Sequence, residues 1–172
     1  LEWQRDLKDP NEFLDLVKVD LFPDEVYIFT PKGMVVNLPK GGTPVDFAYA
    51  IHTEVGDHCY GAKVNGQMVP LRQALRDGDT VEILTSPTQL PSKDWLEFAV
   101  TGKARSRIRQ AVRVAEESRS QELGRSLLER ELEKAKRSLE KILEEGTLQP
   151  YLDAEHRGSA EEMFSRIGYG TL

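Results

Sequence analysis

The sequence predicts an α+β chain: a small β-grasp, ubiquitin-like domain followed by an all-α domain. Between residues 24 and 86, β-branched and aromatic runs alternate with turn signals and one helix, in the order β-β-α-β-β-β. A hairpin, a helix across the sheet and a returning last strand make the β-grasp arrangement. Beyond Pro91 the apolar residues recur at helical spacings. The length of 172 residues, with 39% hydrophobic and 30% charged residues, fits one large domain or two small ones.

Residues 1–23 read as a linker with one short helix, opened by Asp9-Pro10-Asn11, carrying Phe13, Leu14, Leu16 and Val17, and broken by Pro23. The run Val26-Tyr27-Ile28-Phe29-Thr30 is a strand, Pro31-Lys32-Gly33 a turn, and Met34 to Leu38 the second arm of a hairpin. Thr43-Pro44-Val45-Asp46 opens a helix. Thr43 can cap it, Pro44 suits the first helical position, and Asp46 favours the positive end of the dipole. That helix should reach about Thr53 and stop before Gly56. Cys59 to Val64 is the third strand, Asn65-Gly66 a turn, Met68-Val69 a short fourth strand, Leu71 to Leu75 a helical turn, and Thr80 to Thr85 the last strand.

Residues 87–172 form the helical domain. Ser92-Lys93-Asp94-Trp95 starts a short helix, and Ile108, Ala111, Val112 and Ala115 follow helical spacing. Leu128, Leu132, Ala135, Leu139 and Ile142 predict one continuous seam over about two heptads, ended by Gly146 and able to pair within or between chains. Ser159 and Glu162 form a capping box before Met163, Phe164 and Ile167.

The same residues exclude several classes of function. The formal net charge of −6 argues against a generic polyanion binder, so any nucleic-acid contact needs a local patch. A single cysteine, Cys59, rules out an intrachain disulfide and a multi-cysteine zinc site. His52, His58 and His156 have no metal-ligand spacing, and no Gly-x-Ser-x-Gly motif occurs. Lys40-Gly41-Gly42-Thr43 lacks Walker spacing, and Pro44 removes an N–H that a phosphate loop would use. No catalytic constellation, cofactor site or metal site is expected. No apolar run is long enough to span a membrane, and the first residues lack the order of a signal peptide and a start Met. The expectation is a cytoplasmic piece of a longer chain.

Three features can carry function. Lys103, Arg105, Arg107, Arg109, Arg113 and Arg119 make a basic stretch, in which Arg105, Arg109 and Arg113 lie four apart on one helix face. Such a row suits a phosphate backbone, and equally an ordinary solvated face with ion pairs to nearby Glu. Tyr49 and His52 lie three apart on the first helix. His52 flanks the apolar arc, so it is either half-buried or an exposed imidazole able to stack on a base or bond a ribose hydroxyl. Trp95 and Phe98, at i and i+3, read as an anchor of the helical region on the β-domain.

The segments Asp24 to Gly33, Leu38 to His52 and Gly61 to Gly66 closely resemble the TGS domain of the long RelA/SpoT-type stringent-response proteins. Trp95-Leu96, Lys103-Ala104-Arg105, Ile108-Arg109-Gln110 and Ile167-Gly168-Tyr169-Gly170 resemble the helical domain of the same family. The resemblance covers nearly the whole chain. It implies a regulatory segment that follows hydrolase and synthetase domains for (p)ppGpp. In this reading the TGS domain inspects the CCA end of uncharged tRNA in the ribosomal A site, and binding relieves autoinhibition of the parent enzyme. The family's helix-borne histidine maps onto His52. Tyr49 and Lys63 join it as implied contacts to the CCA end, and Lys103, Arg105, Arg109 and Arg113 as contacts to tRNA or ribosomal RNA backbone.

One feature opposes this. Residues 24–86 hold eight acidic and five basic residues, a net charge of −3. Either the ribosome and the helical arginines supply the affinity, or the segment mainly binds protein. The alternative is an interaction module, docking an acyl carrier protein through the Arg105 stripe or clamping the parent's catalytic domains.

Overall fold

A computed structural model describes residues 24–154 and 158–171, so the linker expected over residues 1–23 and His156 lie outside the described residues. The chain forms two compact units, with the division after Val112.

In the first unit, β1 (Glu25–Phe29) and β2 (Val35–Pro39) make an antiparallel hairpin with Val26 opposite Leu38 and Ile28 opposite Val36. β3 (Cys59–Val64) pairs antiparallel with β4 (Gln67–Val69) on one side and β5 (Val81–Thr85) on the other. A parallel bridge between Phe29 and Thr80, with Phe29 N–H donating to the Asp79 carbonyl at 2.8 Å, joins the two sheets through β1 and β5. This gives the β-grasp order with a parallel centre. Asn65 and Gly66 both have positive φ (52° and 82°), which matches the turn preferred by a two-residue hairpin. Residues 71 and 72 form a turn and 73–75 no regular element, in place of the helical turn expected there.

Helix α1 (Pro44–Ile51) lies over the inner face of the sheet. Its start is a complete capping box, Thr43 with Asp46. Phe47 joins Val26, Ile28, Leu38, Val64, Leu75 and Val81 in one core cluster. The helix ends earlier than expected, at Ile51. His52 is extended (φ −160°, ψ 146°) and separates α1 from a second short helix, α2 (Thr53–Asp57).

A second cluster in this unit joins Val45, Ala48, Tyr49 and Cys59 to Trp95, Ala99, Ala104 and Ile108. Trp95, on a 3₁₀ helix (Lys93–Glu97) capped by Ser92, therefore fills the core beneath α1. Residues 87–112, grouped by sequence with the helical domain, pack as part of this first unit.

Helix α3 (Gly102–Lys134) runs past the division into the second unit, which adds α4 (Leu139–Glu144), α5 (Gln149–Ala154) and α6 (Ala160–Gly168). Its core is Leu139, Leu152, Met163 and Phe164, flanked by Leu128, Leu132 and Leu143. The seam expected to be continuous is broken. Arg137 N–H donates to the Leu132 carbonyl at 2.8 Å and Lys136 N–H to that of Glu133 at 2.9 Å, a Schellman stop with Lys136 left-handed at φ 55°. The chain turns there, so Leu128 and Leu139 meet in a core within the chain rather than along one rod. The same stop ends α4 at Gly146 and α6 at Gly170, both glycines with positive φ. Lys136→Gly should therefore raise stability by about 0.5–1 kcal/mol, read as a higher denaturant midpoint, because only glycine is unstrained there.

In the same unit α3 and α6 approach backbone to backbone. A Cβ at Gly124 would overlap the Phe164 carbonyl, and one at Gly168 the Ser120 carbonyl. The buried Ser120 hydroxyl donates to the Ser165 carbonyl at 3.0 Å at this crossing.

Candidate functional site

The site is built around the junction of α1 and α2. His52 is exposed, which decides between the two readings of its position. Its backbone amide closes α1 by donating to the Ala48 carbonyl at 3.1 Å, and its Nδ1 caps α2 by accepting from the Glu54 amide at 3.2 Å. The main chain is thus held at the junction, and one capping bond restrains the ring at the surface.

Tyr49, expected beside it, is withdrawn. Its relative exposure is 0%, and its hydroxyl donates to Asp57 Oδ1 at 2.9 Å. Burial, with the Asp57 carboxylate beside it, holds the hydroxyl far above the usual tyrosine range, so it stays a donor. The ring packs against Gly56 and cannot reach an external base. Tyr49 positions α2; it does not face a ligand.

Lys63 is also separated from His52. It alternates with the buried Ala62 and Val64 on β3, so it faces the side of the sheet opposite α1, with Met68 and Glu82 as cross-strand neighbours. The structure does not bring His52, Tyr49 and Lys63 to one surface.

The basic stripe divides as well. Arg105 is half-buried, and its Nη1 donates to the carbonyls of Leu96 (2.7 Å) and Ala99 (3.0 Å). Its guanidinium closes the end of the 3₁₀ helix instead of facing solvent. Arg107 bonds Gln110 Oε1 at 3.2 Å and Arg109 is half-buried, whereas Lys103 and Arg113 are exposed. A row of three arginines on one open face is therefore not what α3 presents. Cys59 is buried, and burial pushes its thiol up to about 11, which makes it an inert core residue. Among the described residues no group of His, Cys, Asp or Glu side chains could hold a metal ion. No described helix is long and apolar enough to cross a membrane.

Sequence reading missed the centre that holds α1 in place. Asp46 is fully buried, and its carboxylate accepts from the Thr43 amide (2.9 Å) and hydroxyl (2.8 Å) on one side. On the other it accepts from the Val100 amide (3.1 Å) and from the Thr101 amide and hydroxyl (both 2.8 Å). The Thr101 hydroxyl in turn accepts from the Ala104 amide at 3.2 Å, at the start of α3. One carboxylate thus serves two helix N-termini. The capping pattern of Thr43 and Asp46 was visible, but the partners more than fifty residues away carried no local signal.

The TGS domain family matches residues 26–85, and the RelA/SpoT AH domain family matches residues 111–172. The chain carries a TGS domain and a RelA/SpoT AH domain, the regulatory region of a RelA/SpoT-type protein. It is 53% identical over 173 residues to a GTP pyrophosphokinase of Myxococcus xanthus, covering 100% of this chain and 23% of that protein. It is 46% identical over 172 residues to a probable guanosine-3′,5′-bis(diphosphate) 3′-pyrophosphohydrolase of Synechocystis, covering 100% and 22%. To the bifunctional (p)ppGpp synthase/hydrolase SpoT of Escherichia coli K12 it is 45% identical over 170 residues, covering 99% and 24%. The chain thus spans less than a quarter of the length of these RelA/SpoT relatives, and what it matches is their TGS and AH region.

Proposed function

We propose that this RelA/SpoT segment reads the CCA end of uncharged tRNA in the ribosomal A site and relays the result to the catalytic domains of a cytoplasmic (p)ppGpp synthetase/hydrolase. The observation that carries the reading is His52: an exposed imidazole, held by backbone bonds at a helix junction, on the TGS domain. A fixed aromatic donor of this kind suits an unpaired RNA end, which is recognised by stacking and by hydrogen bonds to ribose and base edges. Discrimination is steric in this reading: a free terminal ribose fits against the junction and an esterified amino acid does not.

With Tyr49 buried and Lys63 on the face of β3 turned away from α1, His52 is left as the contact at the RNA end, and the exposed Lys103 and Arg113 as the RNA-backbone contacts. With so few cations, the ribosome must supply much of the surface. Affinity of the chain for free tRNA should accordingly be low.

The test is co-sedimentation of the chain with ribosomes carrying uncharged or aminoacylated tRNA in the A site. The expected result is preferential retention with uncharged tRNA, lowered by about tenfold or more in His52→Glu, where a carboxylate faces the phosphates. Equal retention with both tRNAs would remove the discrimination. Salt-sensitive capture of an acyl carrier protein without ribosome retention would favour the protein-docking alternative.

A further inference from the structure

We propose that Asn65 is a site of covalent modification. Its side-chain amide is hydrolysed through a succinimide formed with Gly66, and the corner between β3, β4 and β5 holds that reaction back until it opens. This inference is independent of any RNA ligand.

The reacting groups are neighbours in the chain. Asn65 and Gly66 are the two residues of the β3–β4 turn, both exposed. Among the described residues the Gly66 amide has no hydrogen-bond partner. Nothing shields it either: a Cβ on Gly66 would find no atom within 4 Å. The Gly66 nitrogen, once its proton passes to water, can attack Asn65 Cγ. The N–Cγ bond forms, the Cγ–Nδ2 bond breaks, and Nδ2 leaves as ammonia with a proton taken from water. A second water then opens the ring. Attack at Cγ gives aspartate, and attack at the main-chain carbonyl gives isoaspartate. The net reaction consumes one water per amide and yields a carboxylate and ammonium.

The folded corner keeps the two groups apart. Asn65 Oδ1 accepts from the Thr80 amide at 3.0 Å, and Nδ2 donates to Asp79 Oδ1 at 3.0 Å. The Asn65 amide donates to the Thr80 carbonyl at 2.8 Å. Asp79 is itself fixed, since its Oδ2 accepts from the Arg76 amide at 2.9 Å. All the bonds of Asn65 thus run toward the start of β5. Gly66 leads instead into β4, on the opposite side of β3. Cγ meets the Gly66 nitrogen only when the side chain lets go of Thr80 and Asp79.

The product cannot rebuild the corner. A carboxylate at position 65 puts an oxygen where Nδ2 now meets Asp79, so two anions share one contact. Isoaspartate also adds a main-chain atom to the turn that sets Val64 opposite Gln67. Val64 and Val69, on the two strands joined here, pack in the cluster that holds Phe47 of α1. Modification therefore loosens the sheet beneath that helix.

The test is incubation of the chain with peptide mass spectrometry, which reads the mass gain from amide to acid at each position. Asn37 is the internal reference, because the branched Leu38 follows it. Isomerisation at Asp77-Gly78 leaves the mass unchanged and does not interfere. Acid should accumulate at position 65 and not at 37. Sub-denaturing urea should raise the rate at 65 in step with hydrogen exchange of the Thr80 amide. Asp79→Ala removes one of the two side-chain bonds and should speed the reaction about fivefold. Asn65→Asp, the product made directly, should lower the urea midpoint. Acid appearing at 65 no faster than at 37 would overturn the site. A rate at 65 that ignores Thr80 exchange would overturn the control by the corner, and this comparison uses the wild-type chain, so it stands even where Asp79→Ala does not fold. An unchanged midpoint for Asn65→Asp would show that the product does rebuild the corner, against the proposal.

Discussion

Asp46→Asn is expected to lower the unfolding free energy by about 3 kcal/mol, the scale of removing one partner from a buried charged network. The carboxylate has 0% exposure and meets donors on both oxygens, from Thr43 on one side and from Val100 and Thr101 on the other. Asn has one acceptor oxygen and an NH₂ group. Whichever way the amide is turned, its NH₂ faces a backbone N–H: that of Thr43 in one orientation and that of Thr101 in the other. A hydroxyl can rotate to accept; a backbone amide cannot. Thr101→Val, which removes one hydroxyl and leaves the charge in place, should cost about 1 kcal/mol. Urea unfolding monitored by Trp95 fluorescence measures both. A midpoint for Asp46→Asn within error of wild type would show that the Asp46 network does not hold the first unit together. The functional consequence concerns both ends of α1. The Asp46 network fixes its N-terminus to the start of α3, and His52 stands at its other end. Loosening the Asp46 network frees the helix whose far end carries His52.

What could be read from the sequence was what is encoded locally. The hairpin, the β3 strand from Cys59 to Val64, the Asn65-Gly66 turn and the Thr43 cap each rest on residues within a few positions of one another. The histidine was found through its place in the motif, and its exposure was settled only by the fold. Where the reading failed, packing and backbone geometry beyond the local pattern decided the outcome. Tyr49 and His52 share one side of an ideal helix. The real helix ends at Ile51, so His52 turns out to solvent while the Tyr49 ring goes into the core against Gly56. Arg105 belongs to a basic row in sequence, yet carbonyls six and nine residues before it engage its guanidinium. The apolar spacing from Leu128 to Ile142 stays in phase across a break, because Lys136 accepts a left-handed backbone that nothing in its side chain announces.

Gly56→Ala tests whether the core beneath the junction controls the placement of His52. A Cβ at position 56 would overlap the Tyr49 ring. The ring has little room to retreat, since it is fully buried and its hydroxyl is tied to Asp57 at 2.9 Å. Helix α2 must therefore lift, and the Glu54 amide moves away from His52 Nδ1. The expected loss is about 2 kcal/mol of stability, the cost of overpacking a filled site. Retention on ribosomes with uncharged tRNA should fall with it, by about tenfold, although residue 56 is buried and touches no ligand. Tyr49→Phe is the control. It keeps the ring, removes one hydrogen bond and should cost about 1 kcal/mol, with retention near wild type. The decisive variant is the double substitution Gly56→Ala with Tyr49→Leu. The smaller side chain makes room for the methyl, so the double variant should be more stable than the two single losses summed, because the residues are in contact. If retention recovers with stability, placement of α2 is what orients His52. If stability recovers and retention does not, the Tyr49 ring itself sets the junction geometry, and packing volume alone does not explain the site.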